Sequence, residues 1–299
     1  MQKNYDITEN STSLGFKAKA KALFELTKFK LNMLVTVSAI FGYGMAASEQ
    51  FSWANLCLIF LGGFLITGGA NGLNQVAERE YDILMKRTQN RPMPTLRLTN
   101  AEAILFSLIL GIAGVAVLGY FFNLPAALLG VIGYLSYAFV YTPMKRYSPF
   151  AVFIGAIPGA LPPLIGWVAV TGKLDSMGLF LFAFQFFWQF PHFWAIAWLA
   201  DEDYRKAGFK MMPSPSGKST VSAALIMFYT ICHVVLPLFP WANGMISPIQ
   251  CLLLALLGVF YSIPSIQLYR TLDAKYARKL MFASFFYLPL MELIFILFN

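Results

Sequence analysis

The sequence predicts an all-α integral membrane protein of nine transmembrane helices whose functional surface opens to the cytoplasmic side. Three observations carry this. Hydrophobic residues make up 58% of the 299 and charged residues 12%, with a mean hydropathy of +0.64, against about 45–50% apolar and about 25% charged in a soluble domain. The apolar residues gather in nine runs near the length of about 20 residues that crosses a bilayer. The cations keep to alternate loops. A soluble globular domain, a disordered chain and a disulfide-stapled secreted module are excluded. The three cysteines, Cys57, Cys232 and Cys251, lie inside apolar runs at no metal-site spacing and read as small buried hydrophobes.

The runs fall at residues 31–47, 53–73, 101–121, 124–141, 150–170, 177–199, 220–239, 246–267 and 280–298, the first and fourth being the shortest. They lack the strict alternation of barrel strands, so helices are the assignment that satisfies the backbone in lipid. Of the 22 Lys and Arg residues, all but Lys173 lie in the N-terminal segment or in the loops after spans two, four, six and eight. The positive-inside rule places those segments in the cytoplasm and Asn299 outside. The net charge of +8 thus reflects topology, and no nucleic-acid partner is expected. Residues 1–30 read as a cytoplasmic tail and residues 31–299 as one membrane domain. Residues 1–13 lack both a signal-peptide pattern and an Arg-rich, acid-poor transit pattern, which points to a bacterial inner membrane. The basic stretch Lys17, Lys19, Lys21, Lys28 and Lys30 reads as a topogenic cluster, with an interfacial helix as the other reading.

The outer loops are short, whereas the loops after spans two and six are long and polar, so chemistry is expected at the cytoplasmic face. After span two, NQVAEREYD sets Asn74, Glu78 and Asp82 at steps of four. On a continuing helix they share one face, rising about 6 Å per step. Such a column of oxygens suits magnesium bridging a diphosphate; a polar helix end is the plainer alternative. After span six, Asp201 and Asp203 emerge on the same side. Cations accompany both clusters: Lys86, Arg87 and Arg91 in the first loop, Lys145 and Arg146 in YTPMKR, Lys218 in SGKST. Arg forks and Lys point charges suit a diphosphate on which charge accumulates as it leaves, although positive-inside bias alone also places cations here.

The segments NGLNQVAEREYDILMKRTQNRP, YTPMKRYSP, GAIPGALPPLIGWVAVTG and FWQFPHFWAIAWLADEDYRKAGFKMMP, in this order and between these spans, resemble the UbiA-type membrane prenyltransferases, and within them the haem O synthase branch. The resemblance runs from span one to span nine. It implies a central cavity with a prenyl diphosphate at its cytoplasmic end, Asn74, Glu78, Asp82 and Asp201 as catalytic and magnesium-binding residues, and Tyr141 with Lys145 on the motif between; with the cations Arg87, Arg91 and Arg146 these two are expected to bind the diphosphate. Two departures stand out. Glu78 occupies a place where relatives acting on quinone precursors carry Asp, and Arg205 stands four residues after Asp201, which leaves the number of magnesium ions open.

The implied substrates are farnesyl diphosphate and haem b, with haem-modifying or oxidase-assembly proteins as further partners. Ionisation of the allylic carbon–oxygen bond would leave a farnesyl cation among aromatic faces such as Phe186, Phe187, Trp188 and Trp194, which equally suit plain packing. The haem vinyl group would attack, and water would quench the new cation. His192, nine residues before Asp201 and so about 13 Å deeper along the helix, suits a haem contact or a structural hydrogen bond. His233, in the outer third of span seven, is the weaker candidate. A transporter would place charges at span centres, where only Glu292 near the outer end of span nine comes close. A haem-binding assembly protein would need no acidic column. A prenyltransferase for quinones or chlorophyll differs in product mass.

Overall fold

Polar residues at the ends of the apolar runs start the helices. In the computed structural model, which describes residues 15–47 and 51–298, the chain begins with a short helix α1 (Phe16–Leu26) followed by α2 (Phe29–Ala47). Ser52 then accepts from the Asn55 N–H to start α3 (Trp53–Ala77), which runs on through a one-turn helix α4 (Arg79–Asp82). Thr99 and Glu102 form a capping box on α5 (Asn100–Phe121). Asn123, with Pro125 in the first turn, opens α6 (Leu124–Leu135). A π-helical turn (Ser136–Tyr141) and α7 (Thr142–Met144) extend that span. Next come α8 (Ala151–Thr171), and α9 (Ser176–Leu199) capped by Asp175, then the short α10 (Asp201–Lys206). Ser219 caps α11 (Thr220–Val235), which α12 (Leu238–Ala242) extends; a Ser247–Gln250 box starts α13 (Pro248–Thr271), and Asp273 caps α14 (Ala274–Leu297). Each cap satisfies N–H groups that lipid could not.

Nine helical spans among the described residues, two of them composite (α6 with the π-turn and α7, and α11 with α12), are long and apolar enough to cross a membrane, and the nine expected spans coincide with them to within a turn or two. No strand occurs among the described residues. The expectations for residues 1–13 and for Asn299 fall outside the described residues.

Small residues let the spans approach closely, as lipid-embedded helices require. A Cβ on Gly166 of α8 would stand 2.0 Å from the Ala39 carbonyl oxygen of α2, and one on Gly114 of α5 would stand 2.7 Å from the Gly62 carbonyl oxygen of α3. Proline in α8 is matched by an amide in α9. Pro163 leaves the Gly159 carbonyl without its helical donor, and Gln185 Nε2 supplies one at 2.8 Å. Large rings from α9, among them Phe184, Phe190, Trp194 and Trp198, fill the core against α8, α11, α13 and α14.

The short helices carry or flank most of the expected site residues. α4, α7 and α10 follow spans two, four and six, and α1 precedes span one, so all four lie at one end of the bundle. α1 is anchored there: Ala22 and Leu26 pack with Met93, Leu98 and Ala103, while Lys19 pairs with Glu102 and Arg97 with Glu25.

Candidate active site at the loop end of the bundle

The Asn74, Glu78 and Asp82 column does not lie on one unbroken helix. α3 ends at Ala77, and Glu78, with φ −98° and ψ 5°, forms a joint before α4. The spacing survives, because the Glu78 and Asp82 N–H groups still donate to the Asn74 and Glu78 carbonyls at 3.0 and 2.8 Å. All three side chains are buried.

Each member of the column meets a cation. Lys145 Nζ lies 2.7 Å from Glu78 Oε1, and Arg91 Nη1 reaches both Asp82 oxygens, at 2.9 and 3.1 Å. Lys28 Nζ donates to Asn74 Oδ1 at 2.7 Å. The orientation of the Asn74 amide is fixed from behind. Thr142 gives its one hydroxyl hydrogen to the Tyr137 carbonyl at 2.8 Å, so it must accept from Asn74 Nδ2, at 3.1 Å. Asn74 Oδ1 therefore faces the cations.

The electrostatics follow from crowding. Burial of the ammonium end, then Arg91 and Lys145, pull Lys28 well below the ordinary lysine range, against Glu78 and Asp82. Burial also opposes the charge on Lys145, but Glu78, with Tyr137 and Tyr204, outweighs it and holds that ammonium above the ordinary range. Arg91, Lys145 and Lys28 together face two carboxylates, and a bound anion would favour the charged form of Lys28.

The remaining expected residues form a rim. The Lys145 ammonium sits 4.5 Å from the centre of the Tyr141 ring, and Arg146 lies 4.3 Å from that of Tyr81, whose hydroxyl it also meets. Exposed Arg87 donates to Tyr204 Oη at 3.3 Å, and the Lys210 N–H donates to the Lys145 carbonyl at 2.7 Å. These contacts join the loop after span six to the column. Asp201 itself lines a neighbouring recess of about 450 Å3 with Glu202, Arg205, Lys206 and Lys218, its carboxylate 4.0 Å from Arg205. His192 is buried deeper in α9. Its Nδ1 is 2.7 Å from Ser284 Oγ of α14, with the Trp188 ring stacked at 4.7 Å and Phe285 edge-on at 5.1 Å.

Among the described residues no three His, Cys, Asp or Glu side chains converge to hold a metal ion unaided. Asn74, Glu78 and Asp82 could hold one only together with oxygens from another source, such as a bound phosphate, and the expected fourth ligand, Asp201, lies apart from them in the recess with Arg205. Lys28, Thr142 and Tyr204 escaped the sequence reading as site residues. Lys28 looked like one of five topogenic cations, and only its place between two helices marks it.

Residues 35–288 match the model of the UbiA prenyltransferase family. The chain belongs to that family. Relatives within it include the protoheme IX farnesyltransferase of Cytophaga hutchinsonii, 46% identical over 93% of this chain and 97% of the relative. The mitochondrial protoheme IX farnesyltransferase of Arabidopsis thaliana is 36% identical over 90% of this chain and 63% of its own length. UbiA-type folds align over nearly the whole bundle. A structure of digeranylgeranylglyceryl phosphate synthase matches with a TM-score of 0.77 at 22% identity, covering 94% of this chain and 98% of that one. A UbiA homologue from Archaeoglobus fulgidus bound to GPP and Mg2+ matches with a TM-score of 0.69 at 14% identity, covering 87% and 99%.

Proposed function

We propose that this protein transfers a farnesyl group from farnesyl diphosphate to a vinyl group of protohaem IX, releasing diphosphate. The observation that carries the reading is the buried Asn74, Glu78 and Asp82 column faced by Lys28, Lys145 and Arg91. Its donors are all oxygens, and each is capped by a positively charged group standing where a divalent cation could. Magnesium fits such a set, because it takes a few protein oxygens and completes its shell with water and phosphate. Asn74, Glu78 and Asp82 would hold it, with Asp201 reaching the metal and diphosphate from the adjoining recess; when bound, it would neutralise charge on the diphosphate.

The chain's own groups would do the rest. Lys145, Arg146, Arg87 and Arg91, with Tyr141, would hold the diphosphate and stabilise the charge it gains as the carbon–oxygen bond breaks, both electrons leaving with oxygen. The vinyl π electrons would form the new carbon–carbon bond. Water would add to the resulting cation and lose a proton. Rings in α9 are already clustered, with Phe186 5.0 Å from Phe190 and Phe187 5.7 Å from Tyr229, and their electron-rich faces suit the transient cation.

His192 is the proposed haem contact. Ser284 Oγ donates to the Met281 carbonyl at 2.6 Å, so the imidazole Nδ1 would carry the hydrogen between them and Nε2 would keep a lone pair for iron. Residues 1–30 would form a cytoplasmic segment and residues 31–299 one prenyltransferase domain. We place the protein in the bacterial inner membrane with its N-terminus inside and C-terminus outside, working beside haem-modifying or oxidase-assembly proteins.

The test is product analysis with purified protein, farnesyl diphosphate, haem b and magnesium. A haem product heavier by one farnesyl and one hydroxyl group, lost with a chelator and regained with magnesium, is expected. An unchanged haem alongside a prenylated quinone precursor would move the assignment to another branch of the family.

A further inference from the structure

Lys28 differs from the other cations of the site. Lys145 and Arg91 each hold a carboxylate, whereas the partner of Lys28 is the neutral amide of Asn74. Its backbone stands in the left-handed region, φ 53°, which a lysine adopts only when its surroundings impose it. α3 does so. Gln75 Nε2 donates to the Leu26 carbonyl at 2.7 Å and Asn71 Nδ2 to the Thr27 carbonyl at 3.3 Å, clamping the corner between α1 and α2 beside the acidic column. A strained corner thus delivers one ammonium group to the one Asn74 oxygen that faces the site.

That oxygen has two lone pairs, but two cations sharing it would repel each other. Magnesium binds oxygen at about 2.0–2.1 Å, and an ammonium hydrogen-bonded to the same atom would lie against it as a like charge. Repulsion would therefore push Lys28 Nζ off that oxygen when metal arrives. The clamp fixes the backbone but leaves the four-carbon stem free to swing, and the nearest uncompensated negative charge would then be the diphosphate.

We propose that Lys28 is a switching cation, which holds the Asn74 oxygen in the metal-free site and turns onto a phosphoryl oxygen of the diphosphate when a divalent cation takes that place. This rests on the magnesium and diphosphate reading above. Lys28 thereby links metal entry to anion capture. Metal alone meets a competitor, whereas metal with diphosphate gives that competitor a new partner, so the two bind cooperatively.

The experiment uses the full chain in detergent, with Mn2+ followed by electron paramagnetic resonance and inorganic diphosphate as the anion. Lys28→Asn removes the charge while keeping a residue tolerant of the left-handed corner, and Lys28→Arg restores the charge. In Lys28→Asn, Mn2+ alone should bind roughly three- to tenfold more tightly and diphosphate in the presence of Mn2+ roughly tenfold more weakly. Lys28→Arg should recover most of the diphosphate affinity. Wild-type protein that binds both ligands while Lys28→Asn leaves both affinities unchanged, even with a lowered melting temperature, reduces Lys28 to a structural peg and overturns the proposal. Wild-type protein that binds neither ligand overturns the site reading and this proposal with it.

Discussion

Lys145 closes onto Glu78 with Nζ 2.7 Å from Oε1, both side chains almost wholly buried and the ammonium also lying over the Tyr141 ring. Removing one partner of such a pair strands the other. Lys145→Met should lower stability by about 3–5 kcal/mol, whereas the double variant Lys145→Met/Glu78→Gln should recover most of it and remain inactive. Denaturation in detergent micelles, read beside turnover, checks this. A single variant as stable as wild type would mean that water reaches the pair.

Asp82 anchors the first loop and belongs to the proposed metal site. Arg91 grips both its carboxylate oxygens, and its carbonyl accepts from Thr88 Oγ1 at 2.9 Å. Asp82→Asn keeps the shape and the carbonyl contact but removes the charge. Transfer should fall by roughly a hundredfold or more, the scale for loss of a preorganised electrostatic group, while the protein still folds. Near-normal turnover would leave Asp82 a loop brace.

His192 and Ser284 are expected to act together. His192→Ala should shift or abolish the Soret band of bound haem while diphosphate binding persists. Ser284→Ala should give a smaller shift, because the imidazole loses the contact that sets its tautomer. His233→Ala should leave the spectrum unchanged. Identical haem spectra and affinities in wild type and His192→Ala would remove iron ligation from the picture.

Topology is open to labelling. With an impermeant thiol reagent on intact cells, cysteines introduced at positions 87 and 205 should be protected and one at position 173 modified. Reaction at position 87 without permeabilisation would turn the site to the opposite face of the membrane.

The spans were legible because each depends on local hydropathy, and lipid allows few alternatives to a helix. The column Asn74, Glu78 and Asp82 was legible because its members are four residues apart. What escaped was contact between distant segments. Lys28 lies 46 residues before Asn74, and nothing in that spacing distinguishes it from Lys17 or Lys21. Thr142 is likewise silent in sequence, since its part is to fix an amide from behind. The break at Glu78 was hidden because i, i+4 spacing reads the same across a joint that preserves it.

The π-helical turn at Ser136–Tyr141 carries one consequence further. There the Thr142 N–H donates to the Tyr137 carbonyl, five residues back, so the turn holds one residue more than an α-turn. Each α-helical residue advances the winding by about 100°, and the extra one resets the phase of everything after it. Tyr141 and Lys145 owe their heading to that offset. A variant that wound this stretch as plain α-helix without deleting a residue would keep the sequence YTPMK intact and still swing its lysine away from Glu78, whereas removing one residue upstream of Tyr141 would restore the heading. Span four is therefore a phase shifter, and the alignment of the lysine depends on residue number along this helix as much as on residue identity at its end.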